Sequence, residues 1–208
     1  MSVAQIQHVT TGLLNTVNDP FPGSLGSSSQ WPPPIGYPGQ LGKAIYFDAD
    51  TIRYDSTVGT LYPGHYTYVQ LSTDSPVPVI GQAAFWIEDA EADPSLFAVT
   101  AEEDSFTLTD AQFAGVFINV PTLGNYCYIQ RSGLVYVKYR ASITGTKATG
   151  RPVFLAAAGG ADAGLFDVVD TMPGTTPILN YYVGQAWDLP ADGGLKRITL
   201  NNVTKRNT

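Results

Sequence analysis

At 208 residues, with 44% hydrophobic and 12% aromatic side chains, the chain carries enough apolar surface to bury a sizeable core, which excludes a disordered polymer. Only 14% of residues are charged, while 21 glycines, 15 prolines and 12 tyrosines point to short strands and many turns. A net charge of −7 speaks against a nucleic-acid partner, and no apolar run approaches the roughly 18–20 residues of a membrane helix.

Residues 1–42 read as an extended N-terminal arm. The opening MSVAQIQHVTTGLL lacks the basic start and apolar core of a signal peptide, so a soluble chain made in a cytoplasm is expected. DPFPGSLGSSSQWPPPIGYPGQLG holds proline, glycine and serine at a density that forbids regular helix or strand and favours polyproline-like backbone. A flexible linker avoids exposed aromatic surface, so Phe21, Trp31, Ile35 and Tyr37 are expected to anchor the arm against another surface.

From Lys43 onward the segments AIYFD, GHYTYVQLS, PVIGQAAFWIED, FAGVFINV, GNYCYIQRS, GLVYVKYRAS, PVFLAAA, LFDVVD and LKRITL are short and β-favourable, bounded by Gly, Pro, Asn or Asp. The spacing predicts an all-β protein of two small barrel-like or sandwich-like modules, at 43–110 and 111–208, the second enlarged by a long insertion. In GLVYVKYRAS, Val135, Val137 and Tyr139 alternate with Leu134, Tyr136, Lys138 and Arg140, which predicts one core face and one polar face. The short turn through Ser132 and Gly133 predicts an antiparallel hairpin with the strand before it.

GHYTYVQLS at 64–72 recurs as GNYCYIQRS at 124–132, and VIGQAAFW at 79–86 recurs as YVGQAWDL at 182–189. In both copies of the first motif the tyrosines and Gln70 or Gln130 project to one side, and Thr67 and Val69, or Cys127 and Ile129, to the other. This predicts equivalent core strands in two related modules, with Val69 and Ile129 buried. The tyrosines are expected to pack under a loop or a neighbouring chain, with their hydroxyls reaching polar partners.

Charge is split along the chain. Residues 1–130 hold 13 acids against Lys43 and Arg53, a balance of −11, and residues 131–208 hold nine bases and five acids, a balance of +4. Acidic and basic faces that meet between copies or on a partner are expected, with Glu102, Glu103 and Asp104 on one and Lys138 and Arg140 on the other.

Each type of catalytic motif is incomplete in this sequence. The one cysteine, Cys127, cannot form an internal disulfide or a cysteine metal cluster, and its place between two tyrosines reads as a small buried hydrophobe. GYPGQLG lacks the strand, the helix and the Gly-Lys-Ser/Thr of a phosphate loop. DADTIRYD starts a calcium-loop spacing with Asp48 and Asp50 but puts Ile52 at the next ligand position. His8 and His65 are too few for a histidine-rich zinc site, and no Gly-x-Ser-x-Gly elbow occurs. Paired carboxylates of a glycosidase would have to come from EDAEAD and AEEDS, which read as solvated turns. No enzyme activity and no cofactor is expected.

The arm, followed by GKAIYFDADTIRYDSTVGTLYPGHYTYVQ, GQAAFW, FAGVFINVPTLGNYCYIQRSGLVYVKY and VGQAWDLPADGGLKRITL, resembles virion proteins of tailed bacteriophages. The rear half is similar to the small β-barrel modules of capsid decoration, or cement, proteins. The resemblance implies a non-enzymatic protein on the outer capsid surface that binds the major capsid protein, self-associates as a trimer and bridges capsomers, with no nucleic-acid or membrane partner. Two other function classes stay open: a host-glycan-binding module of a phage fibre or tail, and a carboxylate hydrolase, which would need two convergent acids in a cleft.

Overall fold

The computed structural model describes residues 44–47, 53–55, 59–87, 97–101, 112–118, 120, 122–124, 126–156, 160–170 and 182–201; for 44–47, 53–55, 59–61 and 112 it describes backbone alone. The protein is all-β: among the described residues there are thirteen strands and, as helix, one short 3-10 turn at Gly160–Asp162. The strands run β1 Ala44–Phe47, β2 Arg53–Asp55, β3 Gly59–Leu61, β4 Gly64–Leu71, β5 Ala83–Trp86, β6 Ala98–Thr100, β7 Gln112–Phe117, β8 Tyr126–Gln130, β9 Gly133–Lys138, β10 Pro152–Leu155, β11 Phe166–Val168, β12 Tyr182–Ala186 and β13 Leu195–Leu200. β2 and β3 form a separate small hairpin.

The first sheet has the order β1-β4-β6-β5-β7-β8, and a further β4–β8 pairing closes β4 to β8 into a five-stranded barrel. A barrel this narrow must fill its interior with side chains of mixed size. It does so with Val69, Leu71, Trp86, Val99, Phe117, Cys127 and Ile129, set against Ala84, Ala101 and Ala114. Alternate residues face outward and are also buried. Tyr66, Tyr68, Phe85, Phe113, Tyr126 and Tyr128 join Val135, Val137, Tyr139, Phe166, Ile198 and Leu200 of the second sheet in one apolar cluster, and the Phe113 and Phe166 rings meet edge to face at 6.3 Å. Strands buried on both faces lose the polar alternation of half-exposed ones.

The two copies of the tyrosine motif are not one strand from each of two modules. They are neighbours in one barrel, paired antiparallel as Tyr66↔Gln130, Thr67↔Ile129, Tyr68↔Tyr128, Val69↔Cys127 and Gln70↔Tyr126. The motif thus repeats about a local twofold at Tyr68 and Tyr128, and directly opposed residues must share a face. This gives the repeated letters a physical reason: outside, Tyr68 opposes Tyr128 and each remaining tyrosine opposes a glutamine of the other copy, and inside, aliphatic residues oppose Thr67 and Cys127. Tyr68 stacks on Tyr126 at 5.7 Å and meets Tyr128 at 4.8 Å. All four tyrosines are buried within one chain, so they belong to its core. The Tyr66 hydroxyl donates to the Tyr62 carbonyl at 2.6 Å, whereas the Tyr68 hydroxyl is buried with no hydrogen-bond partner.

The second sheet has the order β11-β10-β12-β13-β9. Its outer strands approach through a parallel bridge between Tyr139 and Phe166, with Arg140 N donating to the Phe166 carbonyl at 3.0 Å. Val135, Val137 and Tyr139 are buried, as their alternation predicts. The expected β8–β9 hairpin does not form. Both edges of β8 are taken, by β4 and β7, while β9 pairs with β13, so the chain crosses between sheets at Arg131–Ser132. Gly133 permits the crossing: its φ is +90°, and a Cβ there would sit 2.1 Å from the Pro63 carbonyl oxygen. Sheet membership therefore changes near residue 131, not at 110/111, since β7 and β8 lie in the first sheet. The expected long insertion between the rear motifs holds β9, β10 and β11, three of the five strands of the second sheet.

Gln82 ties the sheets together. It is 9% exposed, its Nε2 donates to the carbonyls of Ala101 (3.1 Å) and Ala163 (3.0 Å), and its Oε1 accepts from Val79 N (2.9 Å). Gln185, its counterpart in the second repeat, is exposed on β12, so that doublet shares letters but not environment.

Candidate interaction surface

Among the described residues, charged side chains concentrate on the second sheet, and most of them pair within the chain. Asp167 is buried and accepts from Thr144 N (2.9 Å), Val168 N (2.8 Å), the Thr144 hydroxyl and Arg140 Nη1 (3.2 Å). Arg140 also reaches Asp162 at 2.6 Å. Lys147 pairs with Asp192, Arg151 lies 3.7 Å from Asp170, and Arg197 grips Asp188 with two contacts of 2.8 and 2.7 Å. The Arg197 hydrogen bonds hold the Asp188 carboxyl below the ordinary range, and the same bond raises the guanidinium further. Lys147 does the same for Asp192, and Thr146 for Asp170. Every described acid of this sheet has a cation of its own chain beside it.

Two predicted interface residues, Lys138 and Arg140, fall here. The last residue of β9 and the second residue beyond it place them, but their heads turn inward, Lys138 Nζ to the Gly193 carbonyl at 2.5 Å and Arg140 to its two aspartates. Phe21, Trp31, Ile35, Tyr37, Glu102, Glu103 and Asp104 lie outside the described residues, as does the arm.

The pairs that resemble catalytic groups serve the fold. His65 Nδ1 and Ser132 Oγ are 2.8 Å apart, yet His65 N also donates to that oxygen at 3.2 Å and Arg131 N donates to the His65 carbonyl at 2.7 Å. This cross-brace fixes the β8-to-β9 crossing. Cys127 lies inside the barrel, and burial pushes its thiol well above the ordinary range, so it holds no thiolate at neutral pH. Among the described residues no cluster of three His, Cys, Asp or Glu could hold a metal ion, and no helix is long and apolar enough to cross a membrane.

What the described surface does present is apolar. Val77 (61%), Leu189 (59%), Trp187 (57%), Val79, Leu195, Tyr182 and Leu123 are exposed. Trp187 follows β12, where Ala186 packs inward opposite Ile198, so the next residue turns outward. Trp187 N donates to the Arg197 carbonyl at 3.0 Å, and Arg197 lies directly opposite Tyr136 on β9. Tyr62 covers that end of the row, its ring 6.0 Å from Tyr136 and 5.6 Å from the Arg197 guanidinium, with its hydroxyl 3.1 Å from Arg197 Nη1. A stripe of aromatic and cationic groups thus crosses three strands: Tyr62 and Tyr136, then Arg197, then Trp187. It can bind a surface, a flat ring or a chain of small apolar groups.

Sequence reasoning missed this stripe. YVGQAWDL reads as a repeat, and the alternation of Gln185 and Trp187 against Ala186 is the available signal for an outward tryptophan. Tyr62 had no local signal, because a contact over 135 residues made it part of the site. No protein-family model matches the chain, and no curated protein matches it.

Proposed function

We propose that the chain is a structural, non-enzymatic virion protein that binds the outer surface of a phage capsid, self-associates as a trimer and bridges neighbouring capsomers. The observation that carries this reading is the exposure of Trp187 and Leu189 on a tightly hydrogen-bonded hairpin whose Arg197 and Asp188 are paired with each other. Exposed apolar groups gathered together mark interaction sites, and interfaces concentrate their binding energy in aromatic anchors such as tryptophan. The resemblance to decoration proteins supplies the partner, the major capsid protein. Many copies on one shell add avidity, so each contact can be modest.

Quantitative mass spectrometry of purified particles tests the proposal. Hundreds of copies per particle are expected, and decorated capsids should retain their genomes at temperatures that empty bare ones, because a subunit that binds only the assembled state stabilises it by mass action. Absence from particles, or equal heat resistance with and without the protein, overturns it. Exposed Trp187 and Tyr182 also suit a sugar face, so six or twelve copies together with binding on a host-glycan array would favour the fibre or tail reading.

A further inference from the structure

We propose that residues 140–147 form an acid-labile strap: they close the seam between β9 and β11 near neutral pH and let go, ahead of the rest of the fold, once Asp167, Asp170 and Asp192 are protonated. No capsid or other partner is needed for this behaviour.

The seam is unusual in what receives its amides. β11 gives one edge to β10 and the other to the strap. Among the described residues, backbone bonds span the seam at Arg140 N to the Phe166 carbonyl (3.0 Å) and Gly145 N to the Val168 carbonyl (2.7 Å). The neighbouring strap amides go to carboxylates: Ile143 N to Asp192, Thr144 N to Asp167 and Thr146 N to Asp170, each at 2.9 Å. The strap engages the second oxygen of each carboxylate as well, through Lys147 Nζ, the Thr144 hydroxyl and the Thr146 hydroxyl respectively.

Apolar packing adds little to this hold. Ile143 is the strap's one buried side chain, in the cluster with Val168 and Ile198, whereas β8 buries all five of its residues. Segments with few buried apolar contacts open locally at a lower free energy than the fold as a whole. Hydrogen bonds to an ionised acceptor are about twice as strong as neutral ones, so the charge on these carboxylates sets the strength of the clamp. A proton on either oxygen also turns an acceptor into a donor where the strap supplies only donors.

Protonation leaves charges of one sign at the seam. Among the described residues, Asp167 is faced by Arg140, whose guanidinium also reaches Asp162 of the 3-10 turn. Tyr139 faces it too, and burial together with the Asp167 charge pushes that phenol upward, so it stays neutral. Asp170 is faced by Arg151 at 3.7 Å and Asp192 by Lys147. Lys138 sets its ammonium on the Gly193 carbonyl, next to Asp192, while Asp188 of the same hairpin keeps Arg197. In acid, Lys138, Arg140, Lys147 and Arg151 remain without their anions and repel one another. Bonds from Thr146 hold Asp170, and bonds from Lys147 and Ile143 hold Asp192, below the ordinary carboxylate range. The clamp is therefore complete above about pH 4 and is lost as pH falls through the lower folded values.

Hydrogen exchange of the full chain, read by mass spectrometry as protection relative to the unstructured rate, tests the strap. Between pH 6 and pH 3 the peptide carrying residues 141–148 should lose protection by about tenfold or more, while the peptide carrying β8 keeps its own. Asp170→Asn combined with Asp192→Asn mimics the protonated pair at two half-exposed positions. It should open the strap peptide at pH 6, leave circular dichroism unchanged and reduce the remaining pH dependence. Strap protection that persists to pH 3, or that disappears together with that of β8, overturns the inference, as does wild-type protection in the double variant. The wild-type pH series decides the matter even if the variant does not fold.

Discussion

The first barrel and the second sheet hold themselves together by different physics. Among described residues 62–130 Asp74 is the one charged side chain, whereas residues 131–201 hold twelve. The barrel buries both faces of β4 and β8, so its stability rests on packing. The second sheet buries one side against the barrel and fastens the other with ion pairs that leave little formal charge unpartnered. The contrast teaches that the charge split along the chain does not by itself mark docking faces: a cation count is a binding signal only for cations that the fold leaves unpaired, and Arg140 and Arg197 are paired.

The largest expected effect comes from the barrel. Ile129→Ala removes a fully buried branched side chain from an interior already filled by Val69, Cys127 and Phe117, where collapse is hindered by the closed hydrogen-bond ring. Urea unfolding should show a loss of about 2–5 kcal/mol. A loss under 1 kcal/mol would mean that the interior is loosely packed. Arg140→Ala should cost less, about 2 kcal/mol, since it leaves the buried Asp167 carboxylate with hydroxyl and amide donors but no cation. Arg140→Lys should recover only part of this, because one ammonium cannot span Asp162 and Asp167 as the guanidinium does.

Acid should separate the two regions next. The Asp188 carboxyl is held below its ordinary range by the Arg197 hydrogen bonds, so its protonation is harder in the folded state than in the unfolded chain. Its stabilising effect is therefore complete above the ordinary value of about 4 and disappears as pH falls through the lower folded value. Asp192 and Asp170 shift in the same direction. Chemical denaturation between pH 6 and pH 2.5 should show stability falling as pH drops below about 4, and Asp188→Asn should flatten that slope, by about 1 kcal/mol for a half-exposed pair. Trp187 emission, which reports on the second sheet, should move at higher pH than that of Trp86, buried in the barrel. Coincident transitions would show that the sheets unfold as one unit.

Much of this fold was legible in the sequence, because period-two patterning survives wherever one strand face differs from the other: β9 reads in and out as Val135, Val137 and Tyr139 against Leu134, Tyr136 and Lys138. What failed was connectivity. Ser132–Gly133 looks like a hairpin turn, and only the occupation of both β8 edges, one of them by a strand sixty residues earlier, excludes that pairing. The tyrosine repeat was visible, but a twofold within one strand pair and a duplication across two modules write the same letters. The short strands β2, β3 and β6, of three residues each, are held by neighbours more than by their own composition. At the stripe, Trp187 could be inferred from its parity with Ala186, while the inward turn of Lys138 could not, since the Gly193 carbonyl that takes it belongs to another strand's loop.

The smallest effect on folding carries the sharpest meaning for function. Trp187 is 57% exposed and follows the last paired residue of β12, so truncating it removes little buried area and leaves the backbone bond to Arg197 in place. Trp187→Ala should change the unfolding free energy by no more than about 0.5 kcal/mol, the range of ordinary surface substitutions. A residue kept only for stability would show nothing further. An interface anchor in a desolvated centre costs about 2 kcal/mol or more on binding when truncated, roughly thirtyfold in affinity. The two measurements on one variant therefore distinguish the roles: an unchanged urea midpoint with weakened self-association or capsid binding identifies a contact surface, whereas a lowered midpoint with binding intact would return Trp187 to the structure of the hairpin and leave the stripe without its strongest anchor.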